Sequence, residues 1–155
     1  MKRRDVLAVF STVTTTSLSG CVLLSNEPTT QLGGIIVANY AEREKKVRVK
    51  VFEDSVEHQS TELNLPASSD NLERGYVECT WPSESGEFVI EAETGRKNIE
   101  VDLTKEADDS TRDCVVFGIT LGRFGPLSWV IRSCDDFDFS EIPNLQEEAL
   151  CEGIR

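Results

Sequence analysis

Few residues of this chain are able to do chemistry. His58 is the sole histidine among 155 residues, so a histidine-based triad or a Cys–His pair would have to be built on it. It lies in Glu57-His58-Gln59-Ser60, a polar stretch with no nucleophile motif beside it. The expectation there is a solvated loop side chain. A blue-copper site takes two histidines and a cysteine, which this composition cannot supply. Cys79, Cys114, Cys134 and Cys151 stand far apart in sequence, whereas zinc sites use closely spaced cysteine pairs, so no metal is expected on them. Asp136, Asp138 and Glu141 offer three carboxylates of the kind a hard cation takes, but no glycine turns the stretch as an EF-hand loop requires. In so acidic a chain they read as solvated surface. Lys45, Lys46, Arg48 and Lys50 form the one basic concentration. They could face an acidic partner or lipid headgroups; the simpler expectation is an outward strand face paired with glutamates and guarding a sheet edge. No catalytic residue and no cofactor are assigned.

The elements that must position these residues are short strands. Ile35–Tyr40, Val47–Val51, Thr61–Leu65, Tyr76–Trp81, Phe88–Glu93, Ile99–Leu103, Cys114–Leu121 and Leu127–Cys134 are apolar or alternating runs separated by polar turns. Eight such runs, with no long helical period before the tail, predict an all-β fold, an immunoglobulin-like β-sandwich. Thr94-Gly95-Arg96-Lys97 and Gly122-Arg123-Phe124-Gly125-Pro126 read as hairpin turns. Centring the second on Phe124 sets Val115 against Ser133, Phe117 against Ile131, Ile119 against Trp129 and Leu121 against Leu127, one largely apolar face. The same register sets Cys114 against Cys134 and predicts a disulfide between them. Trp81 and Trp129 read as core aromatics. Pro143–Glu152 has a short helix's Pro at its start and Gly153 after its end.

The first twenty residues have the layout of an export signal. Lys2-Arg3-Arg4 precedes an apolar Val6–Phe10, and small residues lead to a cysteine at Leu18-Ser19-Gly20-Cys21. That tetrapeptide resembles a lipoprotein lipobox, in which the cysteine thiol is lipidated and the chain is cut before it. Arg3-Arg4-Asp5-Val6-Leu7 resembles the twin-arginine export motif, whose substrates cross the membrane folded. The resemblance implies a mature chain that starts at Cys21 and is lipid-anchored to the outer face of the cell membrane. A spanning helix would need roughly 20 apolar residues, more than precede the polar run from Ser25. With Cys21 lipidated, four cysteines remain, and subtraction pairs Cys79 with Cys151.

The expected organisation is a signal over 1–20, an anchored linker over 21–33, a sandwich over 34–136 and a disulfide-pinned acidic tail over 137–155. A flexible linker of about ten residues spans roughly 17 Å on average. Net charge is −12, and removing Lys2, Arg3 and Arg4 makes it more negative. Arg outnumbers Lys, and the acids are spread along the chain. Together with the signal, this resembles the small secreted twin-arginine lipoproteins of halophilic archaea, whose acidic surfaces hold water in brine. Phosphate backbones would be repelled, so nucleic acid is not an expected partner. The expected partners are the membrane, through a lipid on Cys21, and a protein or envelope component. The functional expectation is a non-catalytic binding or envelope module. The alternative is a metal-dependent or hydrolytic surface enzyme using His58 and acidic residues.

Overall fold

The computed structural model describes residues 28–68, 72–109, 111, 113–123, 127–138 and 150–151. The signal residues Arg3, Arg4, Leu18, Ser19 and Gly20, the lipidation candidate Cys21, the turn residue Phe124 and, apart from Leu150 and Cys151, the helix expected over Pro143–Glu152 lie outside them. Eight strands form: β1 (Gln31–Asn39), β2 (Lys45–Glu53), β3 (Val56–Leu65), β4 (Glu73–Val77), β5 (Phe88–Thr94), β6 (Lys97–Asp102), β7 (Cys114–Leu121) and β8 (Leu127–Ser133). They make two four-stranded sheets, β4-β1-β7-β8 and β3-β2-β5-β6. This is the expected β-sandwich. Every pairing is antiparallel except β1 with β7, which is parallel; immunoglobulin sandwiches use antiparallel sheets, and no sequence pattern marks this exception.

Alternation places the core. Val47, Val49 and Val51 of β2 and Phe88, Ile90 and Ala92 of β5 are buried, facing Ile35, Val37, Phe117 and Ile119 of the other sheet. The β7–β8 register is the expected one, Val115 against Ser133 through to Leu121 against Leu127. Trp81 is buried and donates its indole N–H to the Leu32 carbonyl at 2.8 Å, although β4 ends before it. Trp129 departs from expectation. It lies on the sheet's edge strand, 38% exposed, and stacks on Phe117 with ring centroids 6.0 Å apart.

Two boundaries differ from the sequence reading. Gly33 and Gly34 are buried inside β1, where the register to β7 shifts between Leu32 and Gly34. Glycine suits such a bulge as well as a linker, and the freed Gly33 carbonyl accepts from the Cys151 N–H at 3.2 Å. Leu103 opens a one-turn helix, α1 (Leu103–Glu106), rather than ending a strand, because Asp102 caps the Thr104 and Lys105 N–H groups.

Both expected disulfides form, Cys79–Cys151 and Cys114–Cys134, with Cα atoms 5.3 and 5.4 Å apart. Cys114 pairs with Gln31 at the start of β1, and Cys79 follows Val77, the partner of Ile35. Both bridges therefore brace the half of the sandwich where the chain rises from its N-terminal segment.

Candidate functional site

The basic concentration around β2 is divided by strand alternation. Lys46, Arg48 and Lys50 point outward from sheet β3-β2-β5-β6, opposite the buried valines. Arg48 stands in register between Glu62 on β3 and Glu93 on β5 and bridges both, at 3.4 and 3.0 Å. Lys46 bridges Glu62 at 2.6 Å and Lys50 bridges Glu91 at 3.2 Å. The hydrogen bond from Lys46, aided by the charges of Lys46 and Arg48, holds the Glu62 carboxyl below its ordinary pKa. Pairing with glutamates is thus observed. Edge guarding is not: β2 is an interior strand, because the polar β3 lies outside it.

Lys45 belongs to a different neighbourhood. It sits at the end of the sandwich opposite the disulfides, where the β1–β2 loop, the β5–β6 turn and the start of the β7–β8 connection meet. These segments enclose an open recess of about 650 Å³. Among the described residues, Arg43, Lys45, Lys46, Arg96, Lys97 and Arg123 line it, against one carboxylate, Glu44. Arg123 is ion-paired with Glu42, and Lys46 with Glu62. Arg43, Lys45 and Arg96 form no ion pair among the described residues. Burial lowers the Lys45 pKa from its ordinary value, and the charges of Arg43 and Lys97 lower it further. Thr94, Gly95, Leu121, Gly122 and Leu127 supply the uncharged lining among the described residues.

A buried polar residue shapes this end. Asn39, fully buried, donates from Nδ2 to the carbonyls of Arg43 at 3.0 Å and Pro66 at 2.6 Å, with a longer approach to Leu65 at 3.4 Å. Its Oδ1 accepts from the Ala41 N–H at 3.0 Å. Tyr40 donates its N–H to Leu121 at 2.9 Å. The loop that carries Arg43 is thereby tied to β3 and β7. On the opposite side of the recess, Gly95 at φ 59° makes the tight β5–β6 turn that projects Arg96.

The remaining sequence candidates lie elsewhere. His58 is not on a loop but on β3, with Nε2 3.2 Å from Glu53 Oε2, at the disulfide-braced end. A run with so little burial gives no alternation to betray a strand. Asp136 and Asp138 line a shallow groove of about 350 Å³ on the outer face of the other sheet, beside Val116 and Val130, whereas Glu141 lies outside the described residues. No three potential metal ligands are grouped among the described residues, and no helix among them is long and apolar enough to cross a membrane. Sequence reasoning missed the recess because its cations come from three separate segments. Arg43 is masked by neighbouring Glu42 and Glu44, and Arg96 lies some fifty residues further on.

In comparisons with known proteins, no family model, no curated protein and no solved structure matches this chain.

Proposed function

We propose that the chain is a lipid-anchored, non-catalytic binding module on the outer face of the cell membrane. The observation that carries this reading is the molecule's polarity. β1 begins, and both disulfides lie, at one end of the sandwich, and the loops at the other end converge on an open, cation-lined recess. Loops on a rigid scaffold are where binding surfaces are usually built. Two disulfides agree with an oxidising, extracytoplasmic setting, and Leu18-Ser19-Gly20-Cys21 supplies the anchor. β1 runs nine residues from the anchored end to the recess, about 26 Å at a strand's rise per residue. A lipid on Cys21 would hold the recess outward, away from the anchoring membrane. The prediction is that Cys21→Ala moves the protein from the membrane fraction to the soluble fraction with its fold intact. Retention of the variant in membranes would contradict the anchored reading.

A further inference from the structure

The recess is an anomaly of charge. A chain of net charge −12 gathers, among its described residues, six cations and one carboxylate around one opening. Most basic side chains on the neighbouring sheet face are neutralised in register by glutamates; Arg43, Lys45 and Arg96 line the recess without such partners among the described residues, and the Arg43 charge acts on Lys45. Like charges held together repel, so the arrangement is costly unless something anionic occupies it. We propose that the recess binds a compact ligand carrying two or more oxyanion groups, whether phosphate, sulfate or carboxylate, with Arg43 and Arg96 gripping from opposite sides and Lys45 beneath. This rests on the binding-module reading but not on the lipid anchor.

Three features define the ligand class. The volume of about 650 Å³ falls within the range of small-ligand sites. Arginine supplies a planar fork that matches an oxyanion through two parallel hydrogen bonds, and two of the three lining cations with no ion pair among the described residues are arginines. Six cations line the recess, so recognition falls on the ligand's charged groups. The Lys45 ammonium, lowered by burial and by Arg43 and Lys97, would regain its proton affinity on binding, so complex formation would take up protons at alkaline pH.

The test is calorimetric titration of the full-length, detergent-solubilised protein with tripolyphosphate, a sulfated heparin disaccharide and citrate in turn. Saturable 1:1 binding of at least one is expected, and the ligand that binds tightest identifies the oxyanion's source. Arg43→Gln and Arg96→Gln, both at exposed positions, should each weaken binding about tenfold, the loss of one charge-assisted contact. Arg48→Gln, on the ion-paired sheet face, should leave affinity unchanged. No binding of any of the three overturns the proposal, as does equal weakening by Arg48→Gln, which would mark diffuse attraction. Soluble Cys21→Ala protein that still binds would separate a failure of the anchor from a failure of the site.

Discussion

Asn39 shows how a single buried polar side chain shapes the exposed end of the molecule. Its amide satisfies the Arg43 and Pro66 carbonyls and its oxygen takes the Ala41 N–H, so one residue ties the β1–β2 loop to the chain leaving β3. Replacement by Ala leaves those groups unpaired in a water-poor site. Asn39→Ala is expected to lower unfolding stability by about 2–3 kcal/mol, read as a shift of the urea midpoint, and to loosen the loop that carries Arg43. An unchanged midpoint would mean water replaces the amide fully. In sequence Asn39 is an unremarked polar residue within the apolar run Ile35–Tyr40; its role arises from Leu65 and Pro66 coming alongside, which needs the tertiary fold. His58 is illegible for a related reason. Its partner Glu53 lies across a turn, and neither neighbour's hydropathy marks the stretch as strand.

At the scale of elements, alternation and cysteine placement made much of the sandwich legible. The β7–β8 register could be derived because apolar pairing and the Cys114–Cys134 bridge select the same alignment. The β2–β3 hairpin was harder to read, since its turn carries no glycine. Asp54 and Ser55 both take positive φ, 49° and 68°, the backbone of a type I′ turn that ordinarily favours Asn-Gly or Asp-Gly. Aspartate tolerates this region better than serine. Ser55→Gly, restoring Asp-Gly, is therefore expected to raise stability by about 0.5–1 kcal/mol, measured by thermal unfolding. A lower midpoint would show that the Ser55 side chain makes a compensating contact. Likewise, the parallel β1–β7 pair has no local signature: which strands from distant parts of the chain become neighbours is decided by packing between sheets.

Across the whole molecule, composition and the N-terminal motif speak to setting, and the fold supplies direction. One end gathers the disulfides and the start of β1, and the other gathers cations on loops held by hydrogen bonds and the Arg123–Glu42 ion pair. The bridges close loops of 72 and 20 residues, so chain-entropy scaling gives about 4 and 3 kcal/mol of stabilisation; they strengthen the end where β1 begins. Such a division suits a module displayed from a membrane. Net charge alone hid the cationic pole, because a sum over the chain says nothing of placement. The most direct test of the anchored, doubly bridged module is the intact mass of the native protein extracted from membranes, before and after reduction. The expected mass is that of a chain beginning at Cys21 with a lipid adduct, gaining four hydrogens on reduction as Cys79–Cys151 and Cys114–Cys134 open. An unmodified N-terminus ahead of Cys21, or a mass unchanged by reduction, would contradict it.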